Sequence, residues 1–169
     1  GGASEELRML SLDILIAGLI NGMAAGAIYV LVAVGLTLIY GVLHIINFAH
    51  GAALMVALYA VYLLKAEFGI DPYLALPLVV PGMFVLGYAL QRFVIGPASH
   101  GRDENILLVT LGLAILLENL ALVAFKSDTR TIDTPYAFAT VDLAGVLVAV
   151  PKLAALAGAL AMTAALFWL

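Results

Sequence analysis

The chain has 169 residues, 65% of them hydrophobic and only 11% charged, with a formal net charge of −4. A soluble domain carries roughly a quarter charged residues, so this balance excludes a soluble enzyme or carrier and makes the chain an integral membrane protein. The few charges sit in short connecting stretches without a basic cluster of the kind that grips nucleic acid, which leaves membrane lipid as the implied surroundings.

There is no cysteine, hence no disulfide framework, thiolate metal site or cysteine nucleophile. The apolar blocks are continuous rather than alternating, which favours helices over a membrane barrel. The expected fold is all-α, a polytopic helical membrane protein of about five transmembrane helices with an irregular break near 41–51. Residues 1–11 form a polar lead with Glu5, Glu6 and Arg8, and residues 12–169 form a single transmembrane domain. Gly1-Gly2-Ala3-Ser4 lacks a starting Met and reads as a cleavage scar or linker.

The first span is expected at about 12–33. Gly18, Gly22 and Gly26 lie four residues apart in one helical row, a helix-packing surface on which another backbone can approach closely. Asn21 beside that row fits interhelical hydrogen bonding or a transport path.

From Ile14 to Leu64 there is no Asp, Glu, Lys or Arg, a run too long for one crossing of roughly 20 residues and right for two. The second span, about 35–64, holds the interruption: between Gly41 and Gly51 stand His44, Asn47 and His50. A broken helix in hydrocarbon must be buried in protein or line a wet cavity, because unpaired amides are costly there. On a helix Tyr40, His44, Asn47 and Gly51 share a face, and His50 follows Asn47 by three. These residues tie helices together or line a solute path. A metal site lacks a nearby third ligand, and none is expected.

Lys65 to Pro72 reads as a short loop, and a third span follows at about 73–95, with Pro77 and Pro81 implying a bent or broken helix start. Gly96 to Glu104 reads as a hydrophilic, turn-rich loop. The fourth span, about 105–125, carries Glu118 and Asn119, and a carboxylate in a membrane span should face the protein interior. Thr110, Ala114, Glu118 and Ala121 make one small and polar ridge there, open to a structural or a pathway role. Lys126 to Asp142 reads as an extramembrane loop, and the last span, about 143–169, carries Ala157, Ala161 and Ala165 in a second close-packing row. Phe167-Trp168-Leu169 ends within apolar sequence, so the chain reads as a fragment.

The stretches Asn21-Gly22 with Ala27-Ile28-Tyr29, Gly35 to Gly41 (GLTLIYG) and Ile46 to Gly51 (INFAHG) resemble the permease subunit of branched-chain amino-acid ABC importers, a family that also takes in urea and amide permeases. The resemblance continues through Leu90 to Pro97 (LQRFVIGP), Leu108 to Leu113 and Leu117-Glu118-Asn119, and covers nearly all of 12–169 as the N-terminal half of such a protein. It implies a membrane permease component that translocates solute by alternating access in the bacterial inner membrane. Its implied partners are a second permease subunit, cytoplasmic ATPase subunits and an extracytoplasmic solute-binding protein. The segment that couples to the ATPase would follow residue 169. No phosphate-binding loop and no cofactor site occur in the sequence, so ATP hydrolysis is expected on a separate subunit. The expected substrate pathway is Tyr40, His44, Asn47, His50, Thr110, Glu118 and Asn119.

The resemblance places the N-terminus and the 126–142 loop outside, whereas loop charges argue the reverse: Arg8, Lys65, Lys126, Arg130 and Lys152 fall on that outer side against Arg92 and Arg102 inside. Two rival functions remain. An ion-coupled secondary transporter would use Glu118 and the histidines as ion sites, and a structural membrane subunit would use every polar residue to hold helices together. An intramembrane enzyme would need a nucleophile and base pair that the spans lack.

Overall fold

The computed structural model describes residues 2–100, 102–126, 128, 130–143 and 146–168, with side chains from residue 14 onward except 43, 143 and 146. Gly1 of the N-terminal stretch and Leu169 of the apolar terminus lie outside the described residues. The elements are α1 (Gly2–Leu43), α2 (His50–Phe68), α3 (Pro72–Leu90), a π-helical turn (Gln91–Ile95), α4 (Gly96–Ser99), α5 (Asp103–Phe125), β1 (Thr140–Leu143), β2 (Val146–Ala149) and α6 (Val150–Trp168). Among the described residues, five helical segments are long and apolar enough to cross a membrane: Ile14–Val42, His50–Phe68, Pro72–Ser99, Asp103–Phe125 and Val150–Trp168. The all-α, five-span reading with a break inside 41–51 agrees with this.

The boundary between the first two spans differs from the expected one at 33–35. α1 runs without interruption to Leu43, and residues 44–49 separate it from α2, so the break lies between two crossings rather than in the middle of the second. The reason is energetic. A lone Gly35 inside a helix costs about 1 kcal/mol, whereas unpairing backbone amides in hydrocarbon costs several kcal/mol each, so glycine alone does not end a membrane helix. The helix ends at His44, whose backbone is left-handed (φ 56°) and whose N–H donates to the Tyr40 carbonyl at 2.7 Å. α2 spans 19 residues, about 28 Å, the length of one crossing.

The chain divides into two compact units, residues 1–37 with 133–169 and residues 38–132. In the second unit α2 lies against both α3 and α5. Its core is Ala49, Ala52, Ile95, Leu113 and Ala114, with Leu90, Ile106, Val109 and Leu117 packed around it. Three alanines at this junction let the α2 and α5 backbones approach, which is how helices associate where lipid removes the hydrophobic drive. The α2–α3 connection is only residues 69–71. Gly69 (φ 67°) ends α2 with its N–H on Lys65 O (3.0 Å) and the Ile70 N–H on Leu64 O (3.2 Å), an αL close that needs a left-handed residue. Asp71 then caps α3, its Oδ1 accepting from the Tyr73 N–H at 2.9 Å, and Pro72 occupies the first turn.

Of the bent or broken start expected from Pro77 and Pro81, the broken form does not occur: α3 passes through both as one helix. Each proline removes one N–H, and unwinding a turn in lipid would strand more amides than that. The expected 96–104 loop is also shorter: the helix continues through the π turn and α4 to Ser99. Gly96 N–H donates to the Gln91 carbonyl, and a Cβ on Gly96 would lie 2.9 Å from that same oxygen, so only glycine fits. Pro97 supplies no N–H in the next turn, which favours the wider π ring in place of the α pattern.

In the first unit the expected start of the last span at 143 is instead a β-hairpin, with Thr140 opposite Ala149 and Leu143 opposite Val146. Val148 is fully buried against Ala24, with Ala17, Ile20 and Leu153 around them. The Val150 N–H donates to Ala139 O at 2.9 Å and starts α6.

Candidate functional site

The break is held by its own polar groups and by α5. The Asn47 Oδ1 accepts from the Ala49 N–H at 2.9 Å, an Asx turn over residues 47–49 that leads directly into α2, and the Asn47 carbonyl accepts from the His50 N–H at 3.2 Å. The intervening Phe48 N–H donates to Thr110 Oγ1 at 3.3 Å, and the Thr110 hydroxyl donates in turn to Leu107 O at 3.1 Å. Thr110 is 1% exposed. A hydroxyl is the side-chain group that can accept from one backbone and donate to another at the same point, so Thr110 pins the irregular segment to α5. Among the described residues every buried side-chain N or O atom has a hydrogen-bond partner.

Of the seven expected pathway residues, the structure brings Asn47, His50 and Thr110 together around this junction. Asn47 and His50 are half-buried. Tyr40 and His44 lie on the exposed end of α1, their ring centroids 6.4 Å apart. Glu118 and Asn119 stand apart from all of these. They lie two turns beyond Thr110, about 12 Å along α5, and both are exposed. Asn119 donates its Nδ2 to Ile115 O at 2.7 Å, within its own helix. The expected Thr110-Ala114-Glu118-Ala121 ridge therefore splits: Thr110 and Ala114 are buried, Ala121 is half-buried, and Glu118 is on the surface of the chain instead of its interior. At about 100° per residue, a position eight residues on has rotated about 80° from Thr110.

The glycine row has no neighbour against it among the described residues. A Cβ placed on Gly18, Gly22 or Gly26 would have nothing within 4 Å, because α1 uses the neighbouring Ala17, Ile20 and Ala24 face to seat Val148. Asn21 bonds inside α1, its Nδ2 on Ala17 O at 3.1 Å. Among the described residues no group of three His, Cys, Asp or Glu side chains could hold a metal ion.

One supporting element was missed from sequence. Ser99 is buried, its Oγ donating to Gly96 O at 3.0 Å, and Asn105 Nδ2 donates to Ser99 O at 3.1 Å. This closes the α4–α5 corner and presents Ile95 to the core beside the break. The signal was the Gly96-Pro97 pair, whose composition marks a loop as readily as a π turn.

Residues 18–169 match the family described as branched-chain amino acid transport system / permease component. The chain is 31% identical over 127 residues to the high-affinity branched-chain amino acid transport system permease protein BraD of Pseudomonas aeruginosa, covering 69% of this chain and 40% of BraD. It is 29% identical over 126 residues to the permease protein LivH of Escherichia coli strain K12, covering 70% of this chain and 40% of LivH. LivH of Salmonella typhimurium matches at the same identity and coverage. The match thus spans about 40% of the length of these curated relatives. No solved structure matches the chain. Five apolar helices and a family match over nearly the whole length lead to one conclusion: the chain belongs to the permease components of branched-chain amino acid transport systems, multi-pass proteins of the bacterial inner membrane.

Proposed function

We propose that the chain is the N-terminal half of the permease of an ATP-driven importer that moves branched-chain amino acids, with urea and small amides as related solutes, by alternating access. The observation that carries this reading is that the INFAHG break lies within the family match and is pinned to a second membrane helix through Thr110. A helix end fixed by one hydroxyl against a close-packed alanine junction is an arrangement in which small rigid-body shifts open or close a polar face. Asn47 offers both donor and acceptor atoms, as does neutral His50, which suits a zwitterionic or amide solute. Glu118, Asn119, Tyr40 and His44 face out from this chain, and on this reading the remaining part of the permease or the second permease subunit covers them. The open Gly18, Gly22 and Gly26 row is the helix-packing surface for such a neighbour. ATP is hydrolysed by separate cytoplasmic subunits that engage the permease, and an extracytoplasmic binding protein delivers the solute.

The test is uptake of radiolabelled leucine by proteoliposomes holding the full-length permease, its ATPase subunits and its binding protein. Uptake should require ATP, and Asn47→Leu should lower it at least tenfold while the complex still assembles. Uptake that persists without ATP and follows an imposed pH gradient would overturn the reading in favour of an ion-coupled carrier. Leucine uptake that ignores a large excess of urea or acetamide would remove those solutes from it.

A further inference from the structure

Apart from the break, a cavity of about 470 Å³ opens between the middle of α2 and residues Asp128, Arg130 and Ile132. Its volume falls in the roughly 300–1,000 Å³ range of small-molecule sites. The floor is apolar and comes from one helix face, Met55, Leu58, Tyr59 and Tyr62, at spacings of three and four. The Tyr59 ring is held by stacking on Phe125 of α5, with centroids 4.0 Å apart and planes 13° from parallel. Over this floor stand two opposite charges. Arg130 Nη2 lies 3.6 Å from Asp128 Oδ2 and donates to Phe125 O at 3.4 Å. The second contact satisfies a carbonyl at the negative C-terminal end of α5, so the guanidinium has an anchor that does not depend on Asp128.

The chemistry selects the ligand. A simple anion drawn to Arg130 would also face Asp128, and a simple cation would face the reverse conflict. A purely apolar solute would leave both charges unanswered. A zwitterion with an apolar tail satisfies all three features at once. The ion pair itself is long and its side chains are 39% and 70% exposed, so it contributes little and opens readily. Replacing it with an ammonium on Asp128 and a carboxylate on Arg130 exchanges one weak contact for two charge-assisted ones.

We propose that this cavity is a landing site for a free apolar α-amino acid, with the ammonium group on Asp128, the carboxylate on Arg130 and the side chain on the Met55, Leu58, Tyr59 and Tyr62 floor. The inference rests on the proposed role of the chain in amino-acid import and adds a loading site on the 55–62 face of α2, apart from the break. It assigns a task to the loop after α5 that neither the family match nor the break requires.

The test is equilibrium binding to the full-length permease with its ATPase subunits in nanodiscs, without the binding protein, so that docking of that protein cannot affect the result. The probes are leucine, leucinamide, which lacks the carboxylate, and N-acetyl-leucine, which lacks the ammonium group. Arg130→Gln should weaken leucine at least tenfold and leave leucinamide unchanged, while Asp128→Asn should weaken leucine and leave N-acetyl-leucine unchanged. Arg130→Lys should recover part of the leucine affinity. If both variants bind leucine as the wild type does while the wild-type importer transports it, the site is elsewhere and only this inference falls. If the variants lose all three probes equally, the pair is structural and the inference also falls. If the wild-type importer transports no apolar amino acid, the functional reading beneath it fails as well.

Discussion

At the scale of single residues, the junction depends on one hydroxyl. Thr110→Val keeps the shape of the side chain but leaves the Phe48 N–H facing a methyl group, and a part-buried donor without a partner costs about 1–3 kcal/mol. Thr110→Ser keeps the acceptor and loses one methyl, about 1 kcal/mol or less. Denaturation of the detergent-solubilised chain by an SDS titration should therefore rank wild type above Ser and Ser above Val. Equal losses would mean that packing, and not this hydrogen bond, anchors the break. Thr110, Asn47 and His50 were legible as polar residues within apolar sequence. Their division of labour was not, because an Asx turn and an inter-helix hydroxyl bond join groups 62 residues apart or two residues apart with no difference in composition. His44 shows the same limit: nothing in its neighbours announces that it, and not Gly41, takes the left-handed position.

At the scale of elements, glycine carries opposite meanings at two positions. A Cβ on Gly96 would sit 2.9 Å from the Gln91 carbonyl, a backbone atom that cannot yield cheaply, whereas one on Gly112 in α5 would meet nothing within 4 Å. Gly96→Ala should cost about 1–3 kcal/mol through overpacking and distort the π turn. Gly112→Ala should be neutral or stabilise the isolated chain by up to about 1 kcal/mol through helix propensity. Thermal unfolding followed by circular dichroism in detergent separates the two, and the reverse order would contradict the π-turn geometry. The helices themselves were readable because length and apolarity are local properties. The hairpin was not: Val146 to Ala149 is as apolar as the helix that follows it, and only pairing with Thr140 to Leu143 and burial of Val148 on Ala24 make it a strand.

For the whole molecule, a single crossing by each of the five apolar helices predicts that Glu67 and Phe138 lie on one side of the membrane and His100 on the other. The exposed positions Glu67, His100 and Phe138 report this directly. With an impermeant maleimide applied to intact spheroplasts carrying the full-length permease, Glu67→Cys and Phe138→Cys should label and His100→Cys should label only after lysis. Labelling of all three from one side would overturn the crossing count. Labelling of His100→Cys alone would keep the count and invert the orientation, as the lysine and arginine distribution argues.

The sequence by itself determined that this is a helical membrane protein of five spans, where its break falls and to which family it belongs, since apolar length, the scarcity of charge and the INFAHG motif are all properties of contiguous residues. Tertiary structure decided what meets what: that α1 runs through Gly35 to Leu43, that Thr110 reaches the break while Glu118, eight residues on, does not, and that Val148 takes the place beside Ala24. The physical reason is common to all three. In a chain where nearly every side chain is apolar, hydrophobicity places residues in the membrane but does not choose their neighbours, and the choice falls to a few hydrogen bonds and small side chains whose partners are distant in sequence.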